Sequence, residues 1–218
     1  MPAPVRAAPV PAPARAVGGE HGVSARPDRP PIEQARALAG WLAGPRSRAL
    51  QRATIGRRER VLDAGSGHGI VTAELARRAA GATIALDIDA AALAGGDYPA
   101  EGARVCGDAR ALPFRDASFD LVFFQNVLLW VGDTPTALAE AARVLAPEGA
   151  LVALEPDYGG MMEHPDLGLR AIWLDALERA GADPLIGRRL PGLCAAVGLQ
   201  PWVELTHIPA PAEAKAPA

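Results

Sequence analysis

Lysine is nearly missing from this chain: of 22 basic residues only Lys215 is not an arginine. With the abundant Ala, Gly and Pro, that bias reflects a GC-rich coding sequence and carries no chemistry. Aromatic residues are only 5% of the chain. A basic surface interleaved with aromatics, the mark of a nucleic-acid binder, is therefore not expected. The two cysteines, Cys106 and Cys194, are too few and too far apart for a disulfide framework or a CxxC metal site. They are expected as small buried apolar groups in a reducing cytoplasm. No His/Cys/Asp/Glu cluster has metal-ligand spacing, so no metal is expected. The best apolar run, 121–131, is interrupted by Gln125 and Asn126 and is too short to span a bilayer. The expectation is a cytoplasmic protein that engages neither membrane nor nucleic acid.

What is present is enough for one domain with a substantial core: 218 residues, half of them hydrophobic. The net charge of −3 is unevenly spread. Arginines crowd the chain before residue 61 and acids dominate after it, a pattern that fits solvated surface or contact with an anionic partner. Residues 1–31 are too rich in proline for a helix and read as a disordered tail, as do residues 209–218. Between them, 32–208 reads as the folded domain.

The chain is organised around Val61-Leu62-Asp63-Ala64-Gly65-Ser66-Gly67-His68-Gly69-Ile70. A buried strand ends in an acid, glycines stand at alternate positions, and an amphipathic run follows. A turn without Cβ atoms lets a ligand lie on bare backbone, and the helix start favours its negative part. Asp87 closes the next apolar run about 20 residues later, where a carboxylate can accept both hydroxyls of a ribose.

Apolar periodicity extends the pattern in both directions. Ile32, Ala35, Leu38, Ala39 and Leu42 predict a helix ending at Gly44-Pro45, and a second helix is expected over 45–53. Strands are expected at 60–64, 82–87, 103–106, 119–125 and 150–155, with helices at 70–80, 89–93 and 134–145. Two more helices, 167–180 and 190–197, precede a short strand over 202–207. Alternating strands and helices imply an α/β fold: a doubly wound, mostly parallel sheet flanked by helices, with ligands beyond the strand C-termini.

Several motifs in order resemble the class I S-adenosylmethionine-dependent methyltransferases, especially the small-molecule branch related to quinone-biosynthesis enzymes. The resemblance covers roughly residues 40–208. Asp63-Ala64-Gly65-Ser66-Gly67-His68-Gly69 is similar to that family's first motif, Asp87 to its ribose-binding acid and Gly107-Asp108-Ala109 to its adenine-binding turn. Phe119-Asp120-Leu121-Val122 is similar to strand four, and Arg143 through Gly149 to the turn before strand five. The resemblance implies a Rossmann-like sheet, S-adenosyl-L-methionine as cofactor and methyl transfer to a small molecule. It implies cofactor contacts at Asp63, Gly65, Ser66, Gly67, Gly69, Asp87, Ile88, Asp108, Ala109 and Gln125, and makes 32–55 lid helices and 165–198 C-terminal helices. The family's seventh, antiparallel strand has no counterpart here. That makes a homodimer, a partner completing the sheet edge, or a missing C-terminal segment an expectation.

Candidate acceptor-side residues are Trp41, Asn126, Trp130 and Tyr158. Trp41 and Trp130 read first as core residues. Glu155, Tyr158 and His164 are the candidates for a general base, should the acceptor need deprotonation. Val127-Leu128-Leu129-Trp130 stands where many members of that family carry histidines, so no histidine base comes from there. Gly187-Arg188-Arg189 reads as an anchor for an acidic substrate or as a solvated helix start. Two other functions fit parts of the pattern. One is a non-catalytic subunit that keeps the fold; the other is an NAD-dependent oxidoreductase, for which Ile70 stands where a third glycine belongs.

Overall fold

The computed structural model describes residues 30–100 and 102–206. Two helices, α1 (Ile32–Trp41) and α2 (Ala43–Arg52), lead into β1 (Arg60–Ala64), α3 (Ile70–Arg78), β2 (Ala82–Asp87), α4 (Ala90–Gly95) and β3 (Ala103–Cys106). Then come β4 (Phe119–Gln125), α5 (Thr134–Val144), β5 (Leu145–Leu154), α6 (Leu169–Arg179) and α7 (Ile186–Ala196). The five strands form one parallel sheet in the order β3-β2-β1-β4-β5. The order reverses between β1 and β4, which leaves a crevice at their C-terminal ends.

Side-chain alternation along the strands builds a core on each face of the sheet. Val61, Leu121 and Phe123 pack with Leu50 of α2 and Leu75 of α3. Leu62, Ala64, Val122 and Phe124 point the other way, into a cluster with Leu138 and Ala141 of α5 and Ile186 of α7. The same period of two carries Asp63 and Gln125 onto the α2/α3 side of the sheet, at its C-terminal edge.

Several boundaries differ from those the sequence suggests. Helix α2 begins at Ala43, two residues before the expected start at Pro45, which lies inside its first turn; first-turn N–H groups have no helical partner, so a proline there loses nothing. Asp89 caps α4 through the Ala91 and Ala92 N–H groups instead of opening the helix. The turn expected before strand five is an irregularity within β5, where residues 145–150 pair against only 119–121 and Glu148 takes a left-handed φ of 61°. Helix α7 begins four residues earlier than periodicity indicates, at Ile186. Arg188 and Arg189 therefore sit in its first turn, half-exposed and ion-paired with Asp157 and Asp183. Cys106 is exposed at the end of β3, whereas Cys194 is buried as expected.

The short strand expected over 202–207 is not formed at 202–206, which carry no strand assignment; His207 lies outside the described residues. Trp202 lies under the Arg52 guanidinium, 3.5 Å from its ring centroid, and Glu204 pairs with Arg48. Side-chain contacts with α2 thus hold this segment where no neighbouring strand pairs with it. β3 and β5 are the sheet edges among the described residues, with no seventh strand beside β5. The expected tails, 1–31 and 209–218, fall outside the described residues except for Pro30 and Pro31, which lead into α1.

Candidate cofactor crevice

The turn after β1 is shaped by three left-handed glycines, Gly65, Gly67 and Gly69, with φ of 80°, 59° and 78°. A side chain at such φ values is strained. At Gly65 there is also no room, because a Cβ would stand 2.4 Å from Val127 Cγ2. The turn is tied to β2: Gly65 and Ser66 donate their N–H groups to the Leu86 carbonyl, at 2.7 and 3.0 Å. Gly67 N donates to Asp87 Oδ2 at 2.7 Å, and Asp89 N to Asp87 Oδ1 at 2.9 Å. Asp87, only 3% exposed, faces the glycine turn as the spacing predicts.

Asp63 is 3% exposed and accepts from Thr72 Oγ1 at 2.6 Å. Burial pushes its carboxyl up to about 7; the Thr72 hydrogen bond opposes this, the Asp87 charge adds to it, and Arg46 opposes it. A carboxyl raised above its unfolded value binds its proton more tightly in the folded chain. Its stabilising contribution is complete below the ordinary carboxylate range and is lost as pH climbs through about 7. Asp63→Asn stays neutral throughout. Relative to that variant, the parent chain is expected to lose on the order of a few kcal/mol in thermal denaturation between about pH 5 and about pH 8. A stability difference flat across that window contradicts the assignment.

The sequence reading missed Arg46, which is 4% exposed. Its Nε donates to Glu74 Oε2 at 2.8 Å, and its Nη1 to the Ala39 carbonyl at 2.9 Å and to Gln125 Oε1 at 3.1 Å. Burial would raise the Glu74 carboxyl, but hydrogen bonds from Arg46 and Arg78 hold it below its usual range. One guanidinium thus ties α1, α2, α3 and the end of β4 together beside Asp63. A signal was available: Arg46 falls at a helical step from the buried Leu42 and Leu50.

At the exit of β3, Asp108 is gripped by Arg110 through Nε at 3.1 Å and Nη2 at 2.6 Å, and accepts the Arg110 N–H at 2.9 Å. Ala109 is buried and Ile88 is 44% exposed. At the exit of β4, Asn126 has a left-handed φ of 54° and donates its N–H to Leu154 O.

Glu155 is already engaged. Its Oε1 accepts from Val127 N at 2.9 Å and Leu128 N at 3.0 Å, its Oε2 from Leu129 N at 3.4 Å. It caps the 3-10 turn Leu128–Trp130 and ties the exits of β4 and β5 together. Burial pushes its carboxyl up to about 7 against these three bonds. Tyr158 is half-buried, edge-on to Trp173 at 6.3 Å between centroids. Burial and the Glu155 charge push its phenol up.

Asp63, the glycine turn, Asp87, Gln125 and Arg46 therefore form one connected constellation, with Glu155 and Tyr158 at the neighbouring strand exit. Trp41 is neither core nor enclosed, being 53% exposed at the end of α1. Trp130 packs against the core on the α5 side. His164 is exposed. Among the described residues no group of His, Cys, Asp and Glu could hold a metal ion, and no helix is long and apolar enough to cross a membrane.

Comparison with known proteins adds a family. A methyltransferase domain family matches residues 62–153. Malonyl-[acyl-carrier protein] O-methyltransferase of Halorhodospira halophila is 46% identical over 126 residues, covering 56% of this chain and 41% of its own. Demethylmenaquinone methyltransferase of Mycobacterium marinum is 41% identical over 101 residues, 46% of this chain and 43% of its own. The chain thus spans less than half the length of either curated relative. Among solved structures, a chain from the complex of the Haloferax volcanii Trm112 methyltransferase activator with a methyltransferase aligns with a TM-score of 0.63. That match has 19% identity, covers 77% of this chain and 73% of the other, and shows the shared fold.

Proposed function

The chain belongs to the class I S-adenosylmethionine-dependent methyltransferases, in the quinone-biosynthesis-like branch, and from that premise we propose that it transfers a methyl group from S-adenosylmethionine to a small-molecule acceptor. The observation that carries this reading is the Asp87 carboxylate bonded to the Gly67 N–H beside three left-handed glycines. The cradle fits the cofactor, since three left-handed glycines present backbone without Cβ atoms beside the buried Asp87 carboxylate, a surface suited to a ligand carrying hydroxyls.

When bound, S-adenosylmethionine supplies a methyl group already activated on a sulfonium, so the protein's task is orientation and exclusion of water. Gly65, Ser66, Gly67 and Gly69 would hold the amino-acid end on their backbone. Asp63 would face its ammonium, with Arg46 and Gln125 beside it. Asp87 would take the ribose hydroxyls, with Ile88 alongside. Asp108 and Ala109 would receive the adenine; for that Asp108 must share its oxygens with Arg110. Asn126, Trp130, Tyr158 and Trp41 are proposed to border the acceptor.

Of the candidate bases, Glu155 already holds three N–H groups, Tyr158 has a raised phenol and His164 lies exposed. The proposal therefore favours an acceptor that arrives nucleophilic and needs little help in losing its proton. The curated relatives are named for malonyl-[acyl-carrier protein] and demethylmenaquinone, which supports an acyl or a quinone-type acceptor. We place the reaction in the cytoplasm and leave the β5 edge, unpaired among the described residues, to a second copy or a partner strand.

A non-catalytic subunit is the second reading, favoured by the engaged Glu155. Incubating the full chain with methyl-labelled S-adenosylmethionine and separate pools of carboxylic acids, thioesters and quinols separates the two. Label in one pool supports transfer; saturable cofactor binding with no label in any pool supports the second reading.

A further inference from the structure

Tyr98, in the loop after α4, has no part in the cofactor contacts above. Its hydroxyl nevertheless donates to the Gly67 carbonyl at 2.6 Å and lies 3.0 Å from Ser66 Oγ. A tyrosine has one hydroxyl hydrogen, and the carbonyl can only accept, so Ser66 Oγ is the donor of the second bond. The result is a directed chain, Ser66 to Tyr98 to Gly67, that closes on two residues of the glycine turn.

The ring reaches that position only because two glycines make room. A Cβ on Gly69 would stand 2.6 Å from Tyr98 Cδ1, and one on Gly96 2.6 Å from Cε2. The Arg104 guanidinium lies 5.5 Å from the ring centroid, and Asp97 N donates to His68 O at 2.7 Å in the same loop. Gly96 through Tyr98 therefore braces the turn while Asp87 grips it from β2. Resting on the reading of this turn as the cofactor cradle, we propose that Tyr98 is a positioning residue. It fixes the Ser66–Gly69 backbone in its binding shape, so that cofactor affinity depends on a hydroxyl that never touches the cofactor.

Glycines at alternate positions leave the turn free to adopt many conformations. Without the Tyr98 hydroxyl, Gly67 keeps the Asp87 bond on its N–H but loses the partner on its carbonyl. Ordering the turn would then be charged to ligand binding, which lowers affinity without touching the transfer step.

Tyr98→Phe keeps the ring and removes only the hydroxyl. S-adenosylhomocysteine affinity, read by calorimetry on the full chain, is expected to fall about five- to tenfold. KM for S-adenosylmethionine rises in step, while kcat at saturation stays within about twofold of the parent. Amide hydrogen exchange across 65–69 speeds up in the cofactor-free variant, and Ser66→Ala costs less in the Tyr98→Phe background than alone. A merely structural role would lower the melting temperature and leave KM unmoved. Unchanged exchange across 65–69, or an unchanged dissociation constant in a parent chain that binds the ligand, overturns the proposal. Should the parent bind no S-adenosylhomocysteine, the cradle reading itself fails. The exchange comparison then decides on its own whether Tyr98 holds the turn.

Discussion

Asp87→Ala is expected to weaken S-adenosylhomocysteine binding by about a hundredfold or more. A charge-assisted hydrogen bond contributes about 1.5–3 kcal/mol, and each 1.4 kcal/mol is about tenfold in affinity, so losing two acceptor bonds to a ribose reaches that range. The truncation acts a second way, because Gly67 N and Asp89 N lose their acceptor and the turn loses its tie to β2. Asp87→Asn keeps one acceptor oxygen of the same shape and should fall between parent and alanine. Calorimetric titration of the three proteins, with melting curves to confirm folding, checks the order. An alanine variant within about threefold of the parent would remove Asp87 from the site.

The second large effect is on stability. Arg46→Met should lower it by about 2–4 kcal/mol, since removing one partner of a buried ion pair leaves the rest uncompensated. Glu74 keeps Arg78, which holds the loss toward the lower end, but the Ala39 carbonyl and Gln125 Oε1 lose their shared donor. For a domain of this size that corresponds to a fall of about 5–12 °C in melting temperature. Arg46→Lys should recover little, because one ammonium cannot reproduce a planar fork spread over Glu74, Ala39 and Gln125. A melting temperature unchanged in the methionine variant means that the α2–α3–β4 junction is held by packing alone.

These two residues mark how far the sequence could be read. Asp87 was legible because its position is a local matter: a six-residue strand ends in an acid at a fixed distance from a glycine turn. The same holds for β1, β2 and β4, whose apolar runs set both strand and register. Arg46 was obscured by its surroundings, one arginine in a segment crowded with them, although its helical step from Leu42 and Leu50 marked the buried face. Glu155 was read as a possible base because nothing local reveals that residues 27 and 28 positions earlier bring their N–H groups to it. Tyr98 was hidden in a loop defined by its Gly and Pro content, and its role depends on space left by Gly69, 29 residues upstream.

The misplaced boundaries share a physical cause. Proline in a first turn is neutral to a helix, so Pro45 could not mark where α2 begins. Trp202, Val203 and Leu205 give the 202–206 segment a strand-like composition, yet strand pairing needs a neighbour, and arginines of α2 hold its side chains instead. Cys106 alternates outward on an edge strand, which composition cannot foresee.

The central claim is that the crevice between β1 and β4 receives S-adenosylmethionine rather than a dinucleotide. Parallel calorimetric titrations of the full chain with S-adenosylhomocysteine and with NAD test it most directly. Saturable one-to-one binding of S-adenosylhomocysteine in the micromolar range, with no heat from NAD, is the predicted result. Saturable binding of NAD, or no response to S-adenosylhomocysteine, contradicts it.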